Sequence, residues 1–241
     1  MHEGEHFHWS SGMITGLMWR LVEFVDRQDV RRVGLVLLGT VGVMGVIGVL
    51  AAALDPGNLW LDLDSEVAFR WPIEQTTVAL PALWSGLLLL GAAVFWLTVA
   101  RAWSPRSSRV LAGALATVLL FMSVEEVFQL HERLEFRLGI DWQVLYAPVA
   151  LFAALVALAL LVRMRRIAPS ATVLLFLGCA TWIASQALEP LEWQGDREVS
   201  YYVLLMVPEE LGEAVGSILI ALAAVSLVKA IMATRRISRC P

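Results

Sequence analysis

The sequence predicts an all-α fold: a polytopic membrane helix bundle of six transmembrane helices, preceded by an interfacial amphipathic helix. Three observations predict it. Of the 241 residues, 59% are hydrophobic and only 17% charged, with a mean hydropathy of +0.71, whereas soluble domains carry about a quarter of their residues as charges. Six apolar runs are long enough, or nearly so, to cross a hydrocarbon layer of about 30 Å at about 1.5 Å per residue. Basic residues recur at every second connection, the signature of a fixed orientation in a bilayer.

The chain divides into a cytoplasmic tail and amphipathic helix over 1–30, a transmembrane domain over 31–232 and a basic tail over 233–241. Within 1–30, Met13, Ile14, Leu17, Met18, Leu21, Val22 and Val25 repeat at helical spacing. Ser10 or Ser11 stands where a cap would be, and Arg20, Glu23, Asp26 and Arg27 occupy the opposite face. A helix of this kind lies in the membrane interface or packs under the bundle. The start MHEGEHFHW has neither a basic n-region nor a cleavable apolar core, so no signal peptide is expected.

The six spans are expected at Val33–Leu54, Thr76–Ala100, Val110–Gln129, Val144–Val162, Ala171–Leu188 and Pro208–Met232. Their short connections suit antiparallel neighbours. Gly39, Gly42, Gly45 and Gly48 give the first span a surface that another helix can approach closely. Fourteen of the 18 basic residues fall in the N-terminal segment, near 101–109, at Arg163, Arg165 and Arg166, and from Lys229 onward, while 17 of the 22 acidic residues fall on the other side. The positive-inside rule therefore puts both termini in the cytoplasm and the protein in the inner membrane. Trp60, Trp71, Trp142 and Trp193 mark an outer aromatic belt, and Trp103 the inner one.

The third span holds the most informative stretch, Ser123-Val-Glu125-Glu126, with Gln129, His131-Glu132-Arg133 and Glu135 after it. Carboxylates at a helix C-terminus oppose its dipole. The helix is therefore expected to run on to about Leu138, where Gly139 supplies the stop. Counted from Arg109, Glu125 then stands about 24 Å up, still within the hydrocarbon. On a continuous helix Glu125, Gln129 and Glu132 share one face. An acid at such depth should face the bundle interior and have a partner.

Two further helices bring carboxylates to a similar level, Glu189 and Glu192 at the end of the fifth span and Glu209, Glu210 and Glu213 at the start of the sixth. Each of these also reads as ordinary end chemistry, since Pro208 followed by two glutamates is how a helix commonly begins. The deep pair Glu125-Glu126 resists that reading.

Carboxylates with one imidazole suit a hard or borderline divalent cation such as Ca²⁺, Mn²⁺, Fe²⁺ or Zn²⁺. The ligands would come from Glu125, Glu126, His131, Glu132, Glu189, Glu210 and Glu213. The same groups could instead share protons, because two close carboxylates cannot both ionise easily. Phe128 stands where a di-iron bundle needs histidine, and His131-Glu132-x-x-Glu135 lacks the second histidine of a zinc-protease helix. No haem, nucleotide or flavin is expected: His131 is the only histidine outside the N-terminal tail, and there is no phosphate-binding glycine loop. Lys229, the sole lysine, reads as inner-boundary anchoring. Asp62-x-Asp64-x-Glu66 fails as a calcium loop, with Val67 for the turning glycine and Ile73 for the closing glutamate. His2, His6 and His8 belong to a loose tail. Cys179 and Cys240 make neither a disulfide framework nor a thiolate metal site.

The spacing Glu125-Glu126, four residues, His131-Glu132, with Glu209-Glu210-x-x-Glu213 later, resembles a pattern in uncharacterised bacterial multipass membrane proteins. The resemblance implies that these positions belong together and carries no activity with it.

The resulting expectation is an inner-membrane protein with a periplasm-facing carboxylate/histidine site that binds a divalent cation or protons. A metal-dependent membrane enzyme, lidded by Asn58–Trp71, and a non-catalytic subunit of a larger membrane complex are the other two readings. Its partners are the bilayer and either further copies of the chain or other membrane subunits, with no nucleic acid.

Overall fold

The computed structural model describes residues 11–54, 80–128, 130–188, 191 and 202–237. Among them there are eight α-helices and no strand. They are α1 (Ser11–Arg27), α2 (Val30–Leu54), α3 (Leu80–Ala102), α4 (Arg106–Phe128), α5 (Leu130–Leu138), α6 (Trp142–Met164), α7 (Pro169–Gln186) and α8 (Tyr202–Ile237). The expected lid Asn58–Trp71, the N-terminal histidines, Gln129, Glu189 and Glu192 lie outside the described residues.

Local chemistry explains several of the boundaries. Asp29 caps α2, its Oδ1 accepting from the backbone N–H of Arg31 at 3.0 Å. Asp141 caps α6 in the same way, accepting from the Gln143 N–H at 2.7 Å. Gly139 ends α5 at φ +62°, the left-handed conformation that a glycine adopts without a Cβ clash. Pro208, expected at the first helical position, instead lies inside α8, which begins at Tyr202. A proline there forfeits one backbone bond, a loss that membrane helices tolerate better than soluble ones.

Side-chain contacts fix the helix directions. Ser123 Oγ of α4 donates to Gly86 O near the start of α3 at 2.7 Å. Arg163 near the end of α6 donates to Ser107 Oγ near the start of α4 at 2.6 Å. Ser170 meets Ser226 at 3.0 Å, and Gln186 meets Glu213, so α7 and α8 run antiparallel. Gly34 faces Leu222 and Gly45 faces Leu211, so α2 and α8 do too. Trp96 Nε1 of α3 donates to Ile220 O at 3.1 Å and Arg235 reaches Ala102 O, which makes α3 and α8 parallel. Thus α2, α4 and α7 point one way, and α3, α6 and α8 the other.

Helix α8 runs through the middle. Ile218, the stretch Ala221–Val225, Leu227 and Val228 are all buried, the all-round apolar pattern of an enclosed helix. Trp96, Leu160, Met164 and Leu175 fill the space around it. The outward faces are apolar as well: Val36 is 67% exposed, Leu151 63% and Ile183 69%. Soluble monomers rarely expose apolar surface this continuously.

Five helical stretches are long and apolar enough to cross a membrane: Val30–Ile47, Ala82–Ala102, Arg106–Phe128, Trp142–Met164 and Val207–Ile237. The expected fifth span, α7, is not among them. It has 18 residues, and Ser170, Thr172, Thr181, Ser185 and Gln186 dilute its apolar content. The C-terminal half of α1 packs into the bundle, with Val22 and Val25 fully buried in the main core.

Candidate functional site

The deep acid is where its cost demands a partner. Glu125 is 3% exposed, and its Oε1 accepts from the backbone N–H of His131 at 3.1 Å. The same oxygen forms a short contact with His131 Nδ1. On a continuous helix residues six apart lie about 120° apart around the axis and about 9 Å along it, so this contact sets α5 off from α4. The expected single helix to Leu138 is therefore two, α4 and α5. The dipole explains why the break is tolerable: Glu125 leaves the unfavourable end of α4 and turns to the N–H-rich first turn of α5.

Aromatic rings continue the site away from the acid. The His131 ring lies 5.1 Å from that of Trp142, Trp142 lies 6.1 Å edge-on to Tyr146, and Tyr146 lies 5.7 Å from Phe121. Helices α4, α5 and α6 thus bring an imidazole to one carboxylate and extend a chain of three rings beyond it. In such surroundings the charge on the pair matters more than it would in water.

The second acidic site is separate. Glu213 of α8 accepts from Gln186 Nε2 of α7. One helical turn along, Trp182 Nε1 donates to Ser217 Oγ at 3.3 Å. The two helices touch here through small residues: a Cβ on Gly216 would lie 3.0 Å from Gly178 O, and one on Gly178 would lie 2.9 Å from Gly216 O.

The seven expected ligands are therefore distributed rather than gathered. Glu125 and His131 meet at the α4–α5 elbow, and Glu213 meets Gln186 on α7. Glu126 and Glu210 each interact with neighbours. The side chain of Glu132, and Glu189 altogether, lie outside the described residues. Among the described residues no three His, Cys, Asp or Glu side chains gather to hold a metal. Sequence reasoning assigned Trp142 only to a belt and did not find Tyr146, Phe121 or Gln186. A belt tryptophan four residues before a tyrosine shares a helix face with it, and that was the available signal.

Fold and site together define a class: an all-helical bundle with five helices able to cross a membrane and a buried carboxylate paired with a half-buried imidazole at a helix elbow. The chain belongs to the family described as a domain of unknown function (DUF8692), whose model matches residues 33–228, from the first turn of α2 to near the end of α8. No curated protein matches the chain, and no solved structure does.

Proposed function

We propose that this chain is a six-span inner-membrane protein whose outer-leaflet pair, Glu125 and His131, takes up and releases a proton. One observation carries the reading: a carboxylate only 3% exposed shares a single oxygen with an imidazole and a backbone N–H across a helix break. Imidazole is the side chain whose ordinary titration falls between about pH 5 and pH 8. Its protonation converts a bond from a neutral ring to the Glu125 carboxylate into an ion pair.

The alternating directions of α2, α3, α4, α6, α7 and α8 support six passes, with α7 spanning although it is the shortest of them. The end of α1 and the end of α8 meet on the side of the bundle that carries Arg27, Arg101, Arg106, Arg163 and Arg235. That distribution supports cytoplasmic termini and an outward position for Glu125. A proton is favoured over a divalent cation because two ligands meet at the elbow, whereas such cations take four or more. The cation form would require Gln129, Glu132 or Glu189 to complete the set.

The test is histidine ring NMR on the full chain in nanodiscs. The His131 signal is identified as the one lost in His131→Gln. The ring should change protonation state reversibly between about pH 8 and pH 5, with a midpoint displaced in Glu125→Gln. A ring held in one state throughout that range defeats the proposal.

A further inference from the structure

At the end of the bundle away from Glu125, α1 and the last turns of α8 enclose a cleft of about 500 Å³. Trp19, Glu23, Asp26, Arg27, Arg235 and Arg236 line it, with Met232 as an apolar wall. Part of this polar set serves the structure. Arg236 pairs with Asp26, and the Arg235 guanidinium lies 5.5 Å from the centre of the Trp19 ring and donates to Ala102 O.

Glu23 and Arg27 are different. They stand one helical turn apart on α1, both line the cleft, and neither has a hydrogen-bond or ion-pair partner among the described residues. Side chains at this spacing normally pair with each other. Here the cleft presents an open carboxylate and an open guanidinium about 6 Å apart at the Cβ atoms. That spacing suits one ligand carrying a cation and an anion on neighbouring groups. The level in the membrane narrows the ligand further. The cleft sits where α3 ends at Ala102 and α4 begins at Arg106, at the polar boundary where tryptophan and arginine meet lipid headgroups. Every residue lining it falls outside the family match of 33–228, so it is a feature separate from the shared bundle.

We infer that this cleft binds the headgroup of a zwitterionic phospholipid, its phosphate on Arg27 and its primary ammonium on Glu23. Arg235 and Arg236 line the same cleft and add positive potential, and Met232 offers an apolar contact to the glycerol end. The site does not depend on the Glu125–His131 reading and stands at the opposite end of the bundle.

Native mass spectrometry of the full chain, titrated with phosphatidylethanolamine, phosphatidylcholine and phosphatidylglycerol, tests it. Phosphatidylethanolamine should bind about tenfold tighter than phosphatidylcholine, whose ammonium has no N–H to donate; that ratio is the size of one charge-assisted bond. Glu23→Gln should bring the ratio close to one while leaving phosphatidylglycerol binding unchanged. Arg27→Ala should weaken all three lipids. Both side chains are exposed, so both variants should melt with the parent, which separates binding from folding. Equal binding of the two zwitterionic lipids by the parent overturns the inference, as does a ratio unaltered in Glu23→Gln. Displacement of the lipid by an equal concentration of soluble phosphoethanolamine overturns the lipid assignment.

Discussion

Lys229 Nζ donates to Gln28 O at 2.7 Å and to Asp26 O at 3.1 Å, although some two hundred residues separate them in the chain. The last carbonyls of a helix have no partner within it. A lysine on α8 therefore supplies what the end of α1 lacks, and the Arg236–Asp26 pair lies beside it. The first and last helices are fastened to each other at one end of the bundle.

Replacing that lysine should release α1 without unfolding the bundle. Lys229→Met keeps the stem and removes the donor, leaving two part-buried carbonyls to water or to nothing, at a cost of about 1–2 kcal/mol. The expected outcome is faster tryptic cleavage at Arg20 and Arg27 with little change in the main melting transition. A cleavage rate equal to that of the parent would show that apolar docking through Val22 and Val25 holds α1 unaided.

The same fastening bears on topology. If both ends of the chain are cytoplasmic, native Cys240 is a reporter already in place. In a Cys179→Ser background, a membrane-impermeant maleimide should label Cys240 in inside-out vesicles and leave it untouched in right-side-out ones. Labelling from the outside would reverse the orientation and with it the outer position of Glu125.

The helical class, five of the apolar runs and the Gly139 stop were legible in the sequence, because each follows from composition, periodicity or local backbone chemistry. The elbow was not. The dipole argument identified the right difficulty, acids at the end of α4, but chose a longer helix where the chain uses a break and a second N-terminus. Pro208 misled for a similar reason: its preference for the first helical position is local, and the packing of α8 overrides it. Which acids meet which partners depends on how the helices pack, information that spacing along one helix does not contain. That is why Glu213 faces Gln186 on α7 rather than joining Glu125.

The seam between α7 and α8 is close enough for one methyl group to matter. A Cβ on Gly212 would collide with Ser185 Oγ and lie 3.4 Å from Ser185 Cβ. Gly212→Ala should therefore destabilise the bundle by about 1–3 kcal/mol through overpacking. Adding Ser185→Ala removes the colliding oxygen and should recover most of the loss, a coupling that a double-mutant cycle in thermal unfolding measures directly. Gly216→Ala should be rescued only in part by a smaller side chain at 182, since beyond the Trp182 ring at 2.8 Å its Cβ would meet the backbone at Gly178 O, 3.0 Å away, and Trp182 N, 3.2 Å away. Additive losses for Gly212→Ala and Ser185→Ala would mean that the two helices shift apart instead.

The remaining prediction separates a working acid from a structural one. Glu125→Gln keeps the length and shape of the side chain, and its amide oxygen can still accept from the His131 N–H. It removes a charge from a site where charge is costly, so the variant should melt level with the parent or higher. Glu125→Ala removes the acceptor itself and leaves the His131 N–H and ring nitrogen without it, at a cost of about 2–3 kcal/mol. A residue serving only to close the elbow would be impaired in Glu125→Ala alone, with the His131 titration unmoved in Glu125→Gln. One retained for its charge is impaired structurally in the second alone, and loses the displaced His131 titration in the first. Divalent cations supply the third arm. Binding to the folded state must raise its stability by mass action, so a melting temperature unchanged between chelator and Mn²⁺, Ca²⁺ or Zn²⁺ is expected of a proton site. A rise in the parent that disappears in Glu125→Gln would transfer the site to a metal, with Gln129, Glu132 or Glu189 as the ligands to mutate next.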